Sequence, residues 1–380
     1  MPRKTGKRSD YSGYHVSSFP VRHRKKVPFY PMLSLDLEIR AMMTEIHRLD
    51  TELGSYLLSG RDYYDLALDA YSSNTHWSTK IEGNRMTFEE VRKLATEFTN
   101  GRVRESPNGP NQEILNHLGF LFHDELGLPW NVDTALYVHG YLMKGVSDIE
   151  PGILRNEAVS VQGSDGTEFF IACPVSSIDE ELSSLMDWVN TSPFGDIVTA
   201  TLFFHEFESI HPFLDGNGRT GRVLFQTLLK QLGLYNCDLC KFEEKMLSDP
   251  ITYYNLMSYT DLVGNYTPLV RYVTESLLEA YEEAVDTFSK KDVLRDMDEN
   301  ARRIVSNARG SGQFTVREAS EWVHLSESKV KMILEELVDG GILIKEGRTR
   351  SMRYVFMDPF RDIRESVSKE NPFNINKEQL

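Results

Sequence analysis

The stretch HPFLDGNGRTGR, residues 211–222, separates two apolar segments that both have the pattern of a helix. The first, DIVTATLFFHEFESI at residues 196–210, is apolar on nearly every face, which is typical of a buried central helix. The second, RTGRVLFQTLLKQLG at residues 219–233, is predicted to be a helix that ends at Gly233. The stretch between them is therefore predicted to be a loop that two core helices hold in place.

The glycines and arginines of this loop suit a polyphosphate. Gly216 and Gly218 flank Asn217 just before the second helix, so backbone N–H groups can converge on an anion at the positive end of the helix dipole. Arg219 and Arg222 are three positions apart at the start of that helix and therefore share a face. Each guanidinium could hold a separate phosphate through paired hydrogen bonds.

Two further side chains of the loop suit a phosphate-transfer site. Asp215 is placed to hold Mg²⁺, which takes most of its ligands from water and phosphate oxygens. His211 is the one residue of the loop that could accept a proton near pH 7. Taken singly, these residues also have ordinary structural explanations, because Asp-Gly and Asn-Gly are common turn pairs and arginines in a first helical turn are usually solvated. Their joint occurrence favours a site.

The loop fits neither of two common motifs. It lacks the GxxxxGK[ST] pattern and is therefore not a P-loop. His205 and His211 are six residues apart, whereas a zinc peptidase places two histidines four apart on one helix face. His205 is therefore expected to be part of the core.

At this loop the sequence resembles the Fic-domain proteins, whose signature HxFx[DE]GNGRxxR is met at every specified position. The family is mainly α-helical and typically transfers AMP from ATP to a Ser, Thr or Tyr hydroxyl of a target protein. The resemblance implies that His211 is the general base, that Phe213 is a packing anchor, and that Asp215 binds Mg²⁺ between the α- and β-phosphates. Arg219 and Arg222 would hold the β- and γ-phosphates. The implied ATP-binding residues of the signature are Asp215, Gly216, Asn217, Gly218, Arg219, Thr220, Gly221 and Arg222.

The segment RNEAVSVQGSDGTEFFIACP, residues 155–174, alternates polar and apolar residues around a Gly-Ser-Asp-Gly turn, which predicts a β-hairpin. In the family, a flap before the signature aligns the target protein by strand pairing. The pair Ala172-Cys173 departs from the Pro-Pro that is frequent in the family, and a plain surface hairpin is the alternative interpretation. The flap residues that the resemblance implies are Thr167, Glu168, Phe169 and Phe170.

The segment DPITYYNLM, residues 249–257, resembles the part of the family that lines the adenine pocket. The resemblance implies that Tyr253 and Tyr254 contact ATP, with Asp261 as a further candidate. The alternative is packing, since adjacent tyrosines on a helix are usually half-buried.

The segment STKIEGN, residues 78–84, is similar to the inhibitory pattern [ST]xxxE[GN] of the family. The resemblance implies that Ser78 and Glu82 are inhibitory and that Glu82 pairs with Arg222, where it displaces the γ-phosphate of ATP. A local alternative exists, because Thr79 and Glu82 also have the spacing of a capping box at the start of a helix.

Composition limits the class of protein. The chain has 380 residues and a net charge of -15, but residues 1–26 hold eight Lys or Arg against one Asp. The basic start is expected to be a disordered arm, and the acidic remainder argues against nonspecific nucleic-acid binding by the whole chain. Neither a signal peptide nor a membrane span is recognised, so a cytoplasmic location is expected. The three cysteines imply no disulfide framework, although Cys237 and Cys240 form an isolated CxxC.

After a short linker, RGSGQ, the C-terminal part has the order helix, turn, helix and two-stranded ribbon, which predicts a winged helix. Its ribbon is locally basic through Lys345, Arg348, Arg350 and Arg353, but residues 314–357 are neutral as a whole. A DNA-binding regulator is therefore an alternative function, as is a Fic enzyme that removes AMP or transfers another phosphate-containing group.

The expected partners are ATP, Mg²⁺ and a protein substrate, the chain itself included; a homodimer and DNA binding stay open, and no membrane is expected. The expected regions are an arm (1–30), an N-terminal helical region (31–110), a catalytic core (111–265), a helical linker (266–310), a winged helix (311–360) and a tail (361–380).

Overall fold

The structure describes residues 8–16, 19–24, 26–106, 108–122, 126–162, 168–348 and 351–369. It is a computed structural model, and its described residues are mainly α-helical, with two small three-stranded sheets. The helices are α1 Leu37–Ser55, α2 Gly60–Lys80, α3 Phe88–Thr99, α4 Gly109–Leu121, α5 Val132–Met143, α6 Ile178–Thr191, α7 Asp196–Ile210, α8 Asn217–Leu232, α9 Phe242–Leu247, α10 Pro250–Val263, α11 Thr267–Ser289, α12 Glu299–Arg309, α13 Val316–Val323, α14 Glu327–Asp339 and α15 Arg361–Lys369. The strands are β1 Val21–Arg22, β2 Ser160–Gln162, β3 Glu168–Ile171, β4 Gln313–Phe314, β5 Leu343–Glu346 and β6 Arg353–Phe356.

Helices α7 and α8 lie side by side in the main hydrophobic core. Every residue of α7 except Glu208 is buried, because its side chains are apolar or small on nearly all faces. Helix α8 begins at Asn217, two residues earlier than the apolar pattern indicates. The earlier start depends on Gly216, whose φ of 81° lets the chain turn directly into the helix. The motif is therefore a tight connection between two core helices.

The predicted N-terminal helical region contains α1, α2 and α3. Helix α2 begins after Ser59, whose hydroxyl caps its first turn, and it ends at Lys80. Thr79 therefore lies in the last turn of α2, where its hydroxyl donates to the carbonyl of Thr75 at 2.8 Å. The capping-box alternative for Thr79 and Glu82 is wrong, because a helix ends there and none begins.

The N-terminal arm differs from its expectation of disorder. In its described part, Arg8 pairs with Glu279 at 2.8 Å, and Val16 and Val21 are buried. Strand β1 pairs in parallel with β3, so the predicted hairpin of β2 and β3 becomes a three-stranded sheet of order β1-β3-β2. The basic arm thus packs on the acidic body rather than remaining solvated.

The C-terminal unit is larger than the predicted range 311–360. Helices α13 and α14 pack with a sheet of order β4-β6-β5, in the stretch where a winged helix is predicted. Helix α12 joins the same core through Ile304, Val305 and Ala308. The predicted linker is only a turn, since Gln313 already pairs with β6. The unit therefore starts with α12 rather than at residue 311.

The expected tail also differs in its described part. Residues 361–369 form α15, and Ile363 and Val367 are buried in the main core together with Phe360. The ring of Phe360 lies 5.3 Å from that of Tyr64 and 5.2 Å from that of Phe122. The sequence did not predict this apolar face, because its residues are interspersed with charged ones. The structure shows that the face packs in the groove beside α2 and α4.

Cys173, Cys237 and Cys240 are all buried, and none of these three described residues forms a disulfide. Burial raises the pKa of the Cys237 and Cys240 thiols well above its usual range, which keeps both protonated and unreactive. Among the helices that the structure describes, none combines the length and the apolar character needed to cross a bilayer.

The packing of α15 can be tested by a core truncation. We expect Phe360→Ala to lower the free energy of unfolding by about 3–5 kcal/mol, the usual cost of removing a buried aromatic side chain. Urea unfolding followed by circular dichroism measures this change. Tyr235→Ala, at a side chain that is 68% exposed, serves as the control and should change the free energy by less than about 0.5 kcal/mol. Equal stability of the two variants would show that α15 does not pack as described.

Candidate active site

A cavity of about 480 Å³ opens where α7, α8, α10 and the hairpin meet. Of the motif 211–222, the residues that line it are His211, Gly218 and Arg222. Other predicted site residues meet them there from separate elements, namely Glu82, Phe169, Phe170, Tyr253, Tyr254 and Asp261. The structure thus brings together in one cavity residues that lie as far apart in sequence as positions 82 and 261.

The loop of the motif is closed by Asn217. Its side-chain oxygen accepts from the backbone N–H of Phe213 at 2.9 Å, and its amide donates to the carbonyl of the same residue at 2.9 Å. Phe213 in turn stacks on His139, with ring centroids 3.7 Å apart. The sequence predicts that Asn217 and the backbone of its neighbours bind phosphate. In the structure, the side chain of Asn217 fixes the shape of the loop.

Arg155 ties this loop to the hairpin. Its guanidinium donates to the carbonyl of His211 at 2.7 Å and also to the carbonyl of Cys173, just after β3. The backbone N–H of Arg155 donates to the carbonyl of Pro212 at 2.9 Å. Only 3% of Arg155 is exposed, so one buried cation holds the motif and the flap in a fixed relation. No sequence pattern indicated this role.

His211 has the geometry of a general base. It ends α7 in the left-handed conformation, with φ of 52°. Its Nδ1 lies 3.2 Å from the carbonyl oxygen of Glu208, which can only accept, so Nδ1 carries the proton and Nε2 is free of it. Burial lowers the pKa of the imidazole to about 4. His211 is therefore neutral at pH 7, with a nitrogen able to accept a proton at the cavity.

Arg222 is 2% exposed and is held from three sides. Its Nε donates to the Ser78 hydroxyl at 2.9 Å, and its Nη2 donates to the Ser78 carbonyl at 2.8 Å and to Glu82 Oε1 at 2.7 Å. Glu243 Oε2 lies 3.4 Å from Nε. Burial opposes the charge of Arg222, but Glu82 and Glu243 outweigh it and raise the pKa of the guanidinium.

The carboxylate of Glu82 lies over the first turn of α8. A Cβ atom at Gly218 would clash with Glu82 Oε1 and would lie 2.8 Å from Arg222 Nη1. The start of a helix attracts anions through its free N–H groups and its dipole. Glu82 therefore takes the place that the sequence assigns to a phosphate, and only glycine at position 218 leaves room for it.

Arg219 and Asp215 form a second charged group, at the lip of the loop. Arg219 donates to Glu113 Oε1 at 2.5 Å and to Asp215 Oδ1 at 2.8 Å. The side chain of Asp215 is 48% exposed. Since Asp215 Oδ1 already accepts from Arg219, its second oxygen and its exposure fit one carboxylate ligand to Mg²⁺, with the other ligands coming from outside the protein.

Two acids in the site were not predicted, the half-buried Glu208 and the buried Glu243. Glu208 lines the cavity, and burial raises its pKa to about 8, so its carboxyl group is largely protonated at pH 7. Burial likewise raises the pKa of Glu243 to about 7, although Arg222 opposes this shift. Neither Glu208 nor Glu243 belongs to a recognisable sequence pattern. Both acids are close to the charge of Arg222 only in the folded chain.

The remaining predicted residues divide between the cavity and the core. Tyr253 is buried and stacks against Phe204, whereas Tyr254 is 48% exposed at the cavity. In the flap, Phe170 is buried, and Phe169 and Glu168 are exposed. Thr167 lies outside the described residues, as does Arg350 of the ribbon. Of the predicted ATP-binding residues of the motif, those that are buried but do not line the cavity are Gly216, Asn217, Arg219, Thr220 and Gly221.

Comparison with known proteins points to one family. Residues 129–229 match the Fic/DOC family. The chain is 25% identical over 272 residues to protein adenylyltransferase fic-1 of Caenorhabditis elegans, an alignment covering 66% of this chain and 48% of that protein. It is 28% identical over 264 residues to protein adenylyltransferase Fic of Drosophila willistoni, covering 66% and 47%. The chain thus spans about half the length of the curated relatives it matches.

The fold is also similar to a solved structure. A Fic family protein from Desulfovibrio desulfuricans G20 superposes with a TM-score of 0.59 at 22% identity, over 87% of this chain and 98% of that one. At this identity the likeness concerns the fold. The overall fold described here therefore recurs in that Fic family protein.

The crowding at Gly218 yields a test of the Glu82–Arg222 pair. We expect Gly218→Ala to destabilise the parent chain, because the new methyl group clashes with Glu82. The same substitution should cost less in a Glu82→Gly chain, by about 1–3 kcal/mol as a coupling energy. Thermal unfolding of the four chains of this double-mutant cycle measures the difference. An additive result would mean that Glu82 does not rest on the start of α8.

Proposed function

We propose, from the premise that the chain contains a Fic domain, that it is a protein adenylyltransferase held in check by its own Glu82. The observation that carries this proposal is the pairing of Glu82 with Arg222 over the first turn of α8. That turn is a ready site for phosphate, and His211 lies in the same cavity. The names of the similar proteins, which describe protein adenylyltransferases, support the same reaction class.

In the proposed reaction, a Ser, Thr or Tyr hydroxyl of a target protein attacks the α-phosphorus of ATP. The new bond joins the hydroxyl oxygen to that phosphorus, the bond from the α-phosphorus to the bridging oxygen breaks, and pyrophosphate leaves. The hydroxyl proton passes to Nε2 of His211, which the hydrogen bond from Nδ1 to Glu208 keeps unprotonated. The part of the chain's own residues in this reaction is therefore to supply a base and to bind the phosphates.

The phosphates would be held by the first turn of α8 and by the two arginines. Arg222 would donate to a terminal phosphate once Glu82 has moved away, and Arg219 lies one turn earlier on the same helix. Asp215 would hold Mg²⁺, which neutralises phosphate charge when bound. The exposed tyrosine of the cavity, Tyr254, offers a ring face for the adenine.

Inhibition would follow from competition for one cation. Glu82 and a terminal phosphate are both anions, and the first turn of α8 beside Arg222 has room for one of them. Glu82 lies beyond the end of α2 and has 28% of its side chain exposed, so it can leave without unfolding a helix. Arg222 would meanwhile keep Ser78 and Glu243 as partners.

DNA binding by the C-terminal unit is not the function we propose. Lys345, one of the basic residues of the ribbon, pairs with Glu335 of α14. This pairing reduces the charge that the ribbon offers to a phosphate backbone.

The inhibitory role of Glu82 is tested by Glu82→Gly. We expect the purified variant to incorporate label from α-labelled ATP into protein at least ten times faster than the parent, because Arg222 becomes available to ATP. Glu105→Gly, at a side chain that is 79% exposed, is the control and should leave the rate unchanged. An unchanged rate for Glu82→Gly would contradict inhibition.

The position of the label separates the alternative reactions. AMP transfer incorporates label from α-labelled ATP but not from γ-labelled ATP, and mass spectrometry should find one added AMP on the modified residue. Incorporation from γ-labelled ATP would instead indicate phosphoryl transfer. Loss of AMP from a modified protein, without incorporation, would indicate the reverse reaction.

The role of His211 predicts a pH profile. A general base must be neutral, and burial lowers the pKa of His211 to about 4, so the base form persists as pH falls from 8 to 5.5. We expect the transfer rate of Glu82→Gly at saturating ATP to fall by less than about twofold over this range, whereas a histidine of ordinary pKa would lose about tenfold. His211→Ala should bind ATP and transfer nothing. A tenfold fall, or residual transfer by His211→Ala, would contradict the assignment.

A further inference from the structure

The flap strand β3 is paired on both sides at Phe170 and Ile171. It pairs antiparallel with β2 on one side, as the predicted hairpin requires, and in parallel with β1 of the N-terminal arm on the other. Val21 is opposite Phe170, and the N–H of His23 donates to the carbonyl of Ile171 at 2.8 Å. The arm thus uses the backbone groups through which β3 could pair with another chain.

The arm also covers the apolar side of the flap. Val16 and Val21 form a small cluster with Phe170 and Ala172, separate from the main core. Phe19 lies edge-on to Phe169, with ring centroids 5.1 Å apart, and it lines the same cavity as His211 and Arg222. The arm therefore reaches the mouth of the candidate active site.

Two basic side chains of the arm, His23 and Lys26, contact buried acids beneath this sheet. His23 Nε2 lies 2.7 Å from Glu181 of α6, and His23 Nδ1 lies 2.8 Å from the Ser209 hydroxyl of α7. Lys26 Nζ donates to Glu206 of α7 at 2.6 Å. Although burial raises the pKa of Glu206, Lys26 and His205 outweigh it and hold that pKa at about 2. The acids therefore carry charge that the basic arm neutralises.

A third acid continues this group towards the cavity. Asp261 of α10 accepts from the Ser209 hydroxyl at 2.7 Å, lies 4.0 Å from Lys26 Nζ, and lines the cavity. The cavity wall beside the flap thus carries an acid, Asp261, whose neighbouring bases are Lys26 of the arm and His205 of the core. A segment of another protein that replaced the arm would have to supply cations of its own, because a buried carboxylate without a counter-charge lowers stability.

We propose that residues 19–26 are a pseudosubstrate, which fills the place where a protein acceptor must lie to present its hydroxyl to His211. This proposal rests on the proposed function. An extended acceptor would gain backbone hydrogen bonds by pairing with β3, and one strand edge can pair with one partner at a time. The acceptor site is then closed by the arm, independently of the contact between Glu82 and Arg222.

The arm also indicates the chemistry of the acceptor segment. Its apolar residues, Phe19 and Val21, face the flap, and its basic residues, His23 and Lys26, follow within a few residues. An acceptor that displaces it is expected to be extended, with apolar residues followed by basic ones. An acidic segment would meet Glu181, Glu206 and Asp261 and should be rejected.

A reversible lock tests the proposal in the full-length chain. Arg22 and Ile171 are paired across β1 and β3, so Arg22→Cys/Ile171→Cys places two thiols at neighbouring positions where an oxidant can join them. In the Glu82→Gly background, with the His211→Ala chain supplied as acceptor, we expect oxidation to lower AMP transfer at least tenfold and reduction to restore it. Binding of ATP should be the same in both states. Equal transfer in the oxidised and reduced chains would overturn the proposal, and the single variant Arg22→Cys controls for oxidation itself.

A binding measurement separates this inference from the proposed function, because it needs no transfer. The probe is a fluorescent peptide with the sequence of residues 14–28, and a peptide of scrambled order is the control. Val21→Asp, at a position 3% exposed in the parent, should release the arm and let the full-length chain bind the probe at least tenfold more tightly than the oxidised lock does. Absence of this difference in a folded Val21→Asp chain, or AMP transfer onto the probe, would overturn the pseudosubstrate. If the probe binds but Glu82→Gly transfers no AMP, the pseudosubstrate proposal is supported and the proposed function is contradicted.

Discussion

The site depends on one buried cation. Arg222 lies on a core helix with 2% of its surface exposed, and a guanidinium that is removed from water must be paired with anions and acceptors. Ser78 and Glu82 supply them from the end of α2 and the residues that follow it, and Glu243 does so from α9. Because Glu243 and Ser78 stay in place, the most exposed of these partners, Glu82, can be exchanged for another anion without leaving the charge unpaired. The proposed exchange of Glu82 for a phosphate is therefore compatible with a stable core.

The second constraint is the rigidity of the loop around His211. Asn217 closes the loop on Phe213, Phe213 stacks on His139, and Arg155 joins the loop to the end of β3. The flap is therefore held in a fixed position relative to the base. It is further fixed by the arm, so that the proposed nucleotide side and the proposed acceptor side of one cavity are each covered by a segment of the same chain.

Much of this could be predicted from sequence where the signal is local. The helices on either side of the motif follow from their apolar patterns, and the hairpin follows from alternation around a turn. The predictions that failed concern segments whose local pattern is ambiguous. Thr79 and Glu82 have the spacing of a capping box, yet they lie at a helix end, and α15 looks like a charged tail until Phe360 is seen against Tyr64 and Phe122.

The sequence by itself determined the chemistry of the motif: a base, a glycine turn that opens a helix, and two cations on its first turns. Spacing along one chain segment is enough for that, because helix geometry fixes which neighbours share a face. The tertiary structure alone decided the partners. Three contacts between distant parts of the chain show this: Glu243 lies beside Arg222, Arg155 joins the loop to the flap, and the arm pairs with the edge of β3. These contacts are stabilised by burial and charge pairing, which no local sequence pattern encodes.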